Sequence, residues 1–303
     1  MPYADLTDVR LYYELAGNGE PVLLIPGLGA TCQLWDPIVE ELAEDFTLIL
    51  PDNRGVGKSE SKRQPHEIHD FSADLIELMD HLQIEQTHVV GISLGGIIAQ
   101  CFACDHPDLV DRLVLISTTH RFGPYLSALT DLLGHALRKF SLEQFIRTIE
   151  TLSTSPIYVD AHAEEMEREI QETVKRYSSR AGVGRQLMSL CSSEFSEWEY
   201  NITAPTLVVA GEYDALIPHC YARKMADEIM GSRFVYLPDC GHNPIFEQPT
   251  TVLPLMHRFL NGEAVGEAVH PEEEPVEVGA AAIPGSAASE SMENETKVGG
   301  MEE

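Results

Sequence analysis

Positive charge is scarce in this chain. Lys and Arg together number 20 against 49 Asp and Glu, a formal net charge of -29 with a pI near 4.6. Nucleic-acid backbones are held by clustered Lys and Arg, so a nucleic-acid partner is excluded and an anionic membrane surface is disfavoured. No apolar stretch approaches the ~20 residues that a membrane-spanning helix needs. The opening segment MPYADLTDVRLYYELAG carries an acid at Asp5 and lacks a basic region followed by an apolar run. It does not read as a secretory signal, and a cytoplasmic location is the expectation. The six cysteines, at 32, 101, 104, 191, 220 and 240, lack the paired spacing of a disulfide framework or zinc site. Cys101 and Cys104 stand one helical turn apart with no second pair, so they read as small hydrophobes on a buried helix.

From Gly262 onward aromatic residues are missing as well. The segment GEAVGEAVHPEEEPVEVGAAAIPGSAASESMENETKVGGMEE has eleven Glu against one Lys, Lys297. It cannot bury enough apolar surface to offset its ordering entropy, so residues 262–303 are expected to be a disordered acidic tail.

The remaining chain is rich in core material, with 44% hydrophobic residues overall. Runs at 21–27, 46–52, 87–93, 111–118, 204–214 and 232–239 read as strands apolar on both faces, which belong in a parallel sheet covered by helices. Helical stretches lie at 33–44, 70–84, 95–106, 219–230 and 248–260. This alternation predicts a doubly wound, mostly parallel α/β sheet, and VRLYYELAGNGEP predicts an antiparallel strand and turn ahead of it. Between about 119 and 203 the pattern is helical only. The expected division is therefore a core of 1–118 and 204–261 with a helical cap of 119–203. The cap leaves and rejoins the sheet at carboxyl ends of strands, where ligands bind in open α/β folds. Leu126, Leu129, Leu133 and Phe145 read as the cap's own core in preference to pocket walls.

Within HVVGISLGGIIAQ, Gly91 to Gly95 form a G-x-S-x-G pattern where a buried strand turns into a helix. A serine there is a helix N-cap or an exposed nucleophile. A nucleophile needs a base and an orienting acid, in chain order Ser, acid, His. VVAGEYDALIP offers Asp214 just beyond a strand, and VYLPDCGHNPIFEQP offers His242 in the loop after the next. Glu212 and Asp239 are nearby acids, but the first lies closer to its strand and the second precedes the histidine's loop. Ser93, Asp214 and His242 are thus the candidate catalytic residues. The glycine-rich turn IPGLGATCQLW should set the Leu28 N–H opposite that of Leu94 as an oxyanion hole. His66, His69, His81, His162 and His270 lie in polar surroundings and read as surface residues.

These motifs, together with LLIPGLGA and PDNRGVGKSE, resemble the α/β-hydrolase fold over roughly residues 8–261. The chain departs from that pattern at Pro26-Gly27, where most relatives have His-Gly, and this bears on the hydrogen bonding of the loop. The GVGKS of DNRGVGKS lacks Walker A spacing and reads as a structural turn anchored by Arg54. The resemblance implies acyl transfer through Ser93, His242 and Asp214, with Leu28 and Leu94 holding the oxyanion and neither metal nor cofactor. It also sets aside haloalkane dehalogenases and epoxide hydrolases, which use Asp in place of Ser93. The cap and the spacing GLGATCQLWDP are similar to 3-oxoadipate enol-lactonase and small esterases, implying a small-molecule ester or lactone substrate. Perhydrolases and C–C bond hydrolases with the same triad, and a hydrolase-fold receptor that scarcely turns over, stay open. Oligomeric state is not legible.

Overall fold

The computed structural model describes residues 2–60, 66–176, 179–192 and 201–265. Eight strands, β1 (Tyr3–Asp5), β2 (Arg10–Ala16), β3 (Glu20–Ile25), β4 (Phe46–Pro51), β5 (Thr87–Ile92), β6 (Val110–Ile116), β7 (Thr206–Gly211) and β8 (Arg233–Leu237), form one sheet. Its order is β1-β2-β4-β3-β5-β6-β7-β8. The pairs β1/β2 and β2/β4 are antiparallel and all others parallel. The three-residue β1 was not anticipated, being too short to show an alternation.

The helices are α1 (Asp36–Leu42), α2 (Ile68–Leu82), α3 (Leu94–Asp105), α4 (Pro124–Lys139), α5 (Leu142–Ser153), α6 (Pro156–Ala161), α7 (Ala163–Arg176), α8 (Arg180–Ser192), α9 (His219–Glu228), α10 (Pro244–Glu247) and α11 (Pro249–Leu260). Side chains alternate across each strand, so a parallel sheet needs apolar residues on both faces. In β3, Leu23 and Ile25 join the core shared with α2, α3 and α9, while Val22 and Leu24 join the core shared with α1 and α11. One expected helix is divided at a proline, and another, expected over 248–260, is α11 with the unanticipated short α10 ahead of it. The stretch 33–44 is a 3-10 turn, Cys32–Trp35, followed by α1 with Pro37 in its first turn. Pro249 separates α10 from α11, because proline has no N–H to continue a helix but suits its first turn.

The turn after β4 is structural, as its spacing implies. Arg54 is buried and forks onto Asp74 of α2, with Nε–Oδ2 and Nη2–Oδ1 distances both 2.6 Å. Gly57 has φ +59°, and a Cβ there would strike the Asp52 carboxylate, which accepts from the Cys32 and Lys58 N–H groups at 2.8 Å. Cys101 is fully buried on α3 and Cys104 half-buried beside it, both without a disulfide. Of the histidines read as exposed, His69, His81 and His162 are so. His66 is not: it is 1% exposed, edge-on to Phe71, and its Nε2 lies 3.3 Å from the Arg185 Nε of α8. A segment remote in sequence covers it, which local polarity does not reveal. His270 lies outside the described residues. Among the described residues no helix is long and apolar enough to cross a membrane.

The tail expectation needs correction at its start. Val265 is 4% exposed in the α1/α11 core, and the carbonyls of Ala264 and Val265 accept from Arg258 (2.6 Å) and Arg233 (3.1 Å). One apolar side chain and two arginines suffice to dock four residues that composition assigned to the tail. Residues 266–303, the rest of that expectation, lie outside the described residues. A chain ending at Asn261 is expected to be less stable than one ending at Val265 by about 1.5–3 kcal/mol, the worth of one buried valine. Superimposable denaturant curves for the two chains would contradict the docking.

Candidate active site

Ser93 sits between β5 and α3 with φ 56° and ψ -120°, a strained conformation for a residue with a Cβ. The surrounding backbone imposes it. Ser93 N–H donates to the Ile116 carbonyl (2.9 Å), and its own carbonyl accepts from Thr118 Oγ1 (2.8 Å) and the Gly96 N–H (3.0 Å). A Cβ on Gly91 would run into the Gly95 carbonyl, and one on Gly95 into the Ile25 carbonyl. The flanking glycines let β5, α3 and β3 touch, and the tight turn lifts the serine out of the sheet. Its side chain makes no N-cap hydrogen bond to α3, so the capping reading falls.

His242 follows β8. Its Nδ1 lies 2.8 Å from Asp214 Oδ2, a carboxylate wholly buried beyond β7. Asp214 Oδ1 accepts from the Leu216 and Ile217 N–H groups at 2.9 and 2.7 Å, so the acid is pinned on one oxygen and presented on the other. Glu212 instead accepts from the Asp239 N–H (3.0 Å), and Asp239 is exposed with φ 59°. Neither alternative acid hydrogen-bonds to His242.

Ser93 and His242 line one cavity of about 210 Å³, together with Gly27, Leu28 and Gly29 of the loop after β3. A Cβ on Gly27 would come within 3.3 Å of Ser93 Cβ. The proline that replaces the usual histidine leaves this loop well held. Asn53 donates from Nδ2 to the Pro26 carbonyl (2.9 Å), Ala30 N–H reaches the Gly27 carbonyl (3.2 Å), and Gly29 N–H donates to Gln186 Oε1 of α8 (2.8 Å). Among the described residues, the Leu28 and Leu94 N–H groups donate to no protein acceptor.

Helices α4, α5, α7 and α8 form one side of the wall, and Leu34, Ile92, Phe122, Leu216 and Ile217 are among the residues that complete it. Leu126, Leu129, Leu133 and Phe145 all face the cavity, which corrects the expectation that they are cap core instead of pocket. Leu133 and Phe145 also belong to buried clusters, and Leu129 packs against one. Helix α5 is set by a capping box, in which Ser141 Oγ accepts the Gln144 N–H (3.1 Å) and Gln144 Oε1 accepts the Ser141 N–H (2.9 Å). It places Phe145, Ile146, Ile149, Glu150 and Ser153 on the cavity.

Three residues here escaped sequence reasoning. Gln186, fully buried, ties α8 to the Gly29 loop. Glu247 accepts from the Gly241 N–H (3.0 Å) and the Ser155 N–H (3.0 Å), clamping the histidine's loop to the start of α6. Glu247 stands in the motif quoted for His242, but nothing local marks it as a clamp. Glu150 is a carboxyl on an apolar wall, and burial, aided by Glu169, pushes its pKa up to about 7. The spacing of α5 gave its face, yet only the assembled cavity shows what that face meets.

For metals, the described residues offer one group of ligand-type atoms in mutual reach, His69 Nδ1, Cys101 Sγ and Asp105 Oδ2 on α2 and α3, away from the cavity lining. They hydrogen-bond to one another, at 3.0 Å for His69–Asp105 and 3.2 Å for Cys101–His69, and burial pushes the Cys101 thiol well above its ordinary pKa.

With strand order, elbow and acid–histidine pair in place, a family model described as alpha/beta hydrolase fold matches residues 20–249. The chain belongs to this family. It is 27% identical over 259 residues to a protein that carries the name carbamate hydrolase RutD in Caulobacter sp. (strain K31), covering 84% of this chain and 97% of that one. It is 30% identical over 254 residues to a poly(3-hydroxyalkanoate) depolymerase of Ectopseudomonas oleovorans, covering 83% and 88%. Among solved structures, a thermophilic esterase from Thermogutta terrifontis superposes with a TM-score of 0.75 at 28% identity, covering 84% and 94%.

The half-buried carboxyl of Glu150 gives the hydrolase a pH signature. The folded chain holds this proton up to about pH 7, whereas the unfolded chain releases it near 4.5, the ordinary value for a glutamate. Stability contributed below that lower value is lost as pH rises through the upper one. Glu150→Gln removes the loss, so its stability relative to wild type should grow by roughly 1–3 kcal/mol between pH 4.5 and 8. Urea titrations across that range check this, and a constant difference would show Glu150 titrating normally.

Proposed function

We propose that this hydrolase cleaves a small carboxylic ester or lactone through an acyl-enzyme on Ser93. The observation that carries the reading is that Ser93 and His242 face the same cavity while a buried, doubly anchored Asp214 holds the far side of the imidazole. The Ser93 oxygen attacks the carbonyl as His242 Nε2 takes its proton, and Asp214 fixes the tautomer with Nδ1–H and stabilises the imidazolium. The unpartnered N–H groups of Leu28 and Leu94 receive the tetrahedral oxyanion. Collapse expels the alcohol, which takes the proton from His242. Water, deprotonated by the same histidine, then releases the acid and restores Ser93. No step calls on a metal or cofactor.

A cavity of about 210 Å³, below the ~300 Å³ at which drug-sized sites begin, supports a small substrate. The 28% identity to an esterase supports ester over other acyl bonds. The RutD likeness favours a second reading, a carbamate, attacked at its carbonyl in the same way.

Ser93→Ala is expected to abolish both hydrolysis of p-nitrophenyl acetate and labelling by a fluorophosphonate, and undiminished labelling would sink the assignment. Asp214→Asn should lower kcat by roughly 10³–10⁴-fold while leaving the fold intact. A turnover screen over short-chain esters, lactones, enol-lactones and carbamates decides the acyl class. Preferred carbamate cleavage would replace the ester reading, peroxide-dependent halogenation in acetate or cleavage of a dienoate ring-fission product would point to the related chemistries, and labelling without turnover would mark a receptor.

A further inference from the structure

The cap wall of the cavity contains one uncommitted polar side chain. Thr130 donates its hydroxyl to the Leu126 carbonyl (2.7 Å), Thr173 to Glu169 Oε1 (3.4 Å) and Ser153 to the Glu150 carbonyl (3.4 Å). The Glu150 carboxyl has no hydrogen bond or ion pair with any described residue. Its wall neighbours on α5 are Phe145, Ile146 and Ile149. Carboxyls without partners in apolar surroundings weaken a fold, and they persist mainly where a ligand completes them.

The position is also close to the chemistry. Glu150 lies three residues before Ser153, about 4.5 Å of helix rise, and the Ser153 carbonyl accepts the backbone N–H of His242 at 2.7 Å. A substrate whose carbonyl sits at Ser93 would place a group a few bonds away against Glu150. A hydroxyl meets either form of Glu150, because a carboxylate only accepts whereas a carboxylic acid also donates its O–H, and a hydroxyl can both donate and accept. An ammonium would pair only with the ionised carboxylate, the form that the apolar wall and the neighbouring Glu169 disfavour.

Resting on the reading of Ser93 as the acylated residue, we propose that Glu150 is a polar subsite that receives a substrate hydroxyl, so that the preferred ester or lactone carries a hydroxyl a few bonds from its scissile carbonyl. Glu150 thereby selects substrate and takes no part in bond cleavage.

The test compares matched esters differing in one group: methyl hexanoate against its chain-end hydroxyl and chain-end amino analogues, and propyl butyrate against 2-hydroxyethyl butyrate. Rates are read by pH-stat in wild type, Glu150→Gln and Glu150→Leu. Wild type should favour the hydroxylated member of at least one pair by roughly tenfold in kcat/KM, the effect of about one good hydrogen bond. Glu150→Leu should erase or invert that ratio, and Glu150→Gln should retain part of it. Ratios that are equal in wild type and Glu150→Leu would overturn the proposal, as would a preference for the amino ester, which would make the subsite a cation site. Melting temperature separates a lost preference from a lost fold, and removal of an unpaired carboxyl should not lower it. If Glu150→Leu does not fold, the wild-type ratio and Glu150→Gln decide. The serine reading fails separately, by Ser93→Ala retaining full turnover of every ester in the set.

Discussion

A serine held at positive φ between backbones that nearly touch is the constraint on which the site depends. Its conformation is unfavourable by itself, at a cost of order 1–3 kcal/mol. Hydrogen bonds from Ser93 to Ile116, and from Thr118 and Gly96 to Ser93, over-determine it, and Gly91 and Gly95 remove the side chains that would push β5, α3 and β3 apart. The turn that strains the backbone also exposes the hydroxyl above the sheet and frees the Leu94 N–H at the start of α3. Strain, access and electrostatic complementarity thus come from one local geometry.

The other parts are positioned against that point by ties from distant segments. Asp52, Asn53 and Arg54 follow β4 and hold three different elements: the start of the 3-10 turn, the Pro26 carbonyl and α2. The cap contributes more than apolar walls. Through Gln186 it reaches the Gly29 loop, through the Ser153 carbonyl it reaches His242, and through the Ser155 N–H it shares Glu247 with Gly241. Displacement of the cap would therefore disturb both the loop that carries Leu28 and the loop that carries His242, so substrate enclosure and site geometry are coupled.

Much of this was readable in the chain. Six runs apolar on both faces gave the parallel strands to within a few residues, because a sheet covered on both sides demands them. Ser93 after β5, with Asp214 and His242 after the successive strands β7 and β8, marked the candidate site, since each side chain is placed by the strand before it. The start of α1 near Pro37 was less legible, because periodicity runs through a break that proline chemistry enforces. His66 and residues 262–265 were misread for a shared reason: burial by remote segments leaves no trace in local composition.

What the sequence determined by itself was the alternation of elements and the candidates for the reacting groups, both of which rest on short-range pattern and the directionality of strands. Only the tertiary structure decided which apolar residues of α4, α5 and α8 are cavity walls and that the Glu150 carboxyl stands among them without a hydrogen bond to any described residue. Those depend on contacts between residues tens to more than a hundred positions apart, where packing geometry, and no local propensity, selects the neighbours.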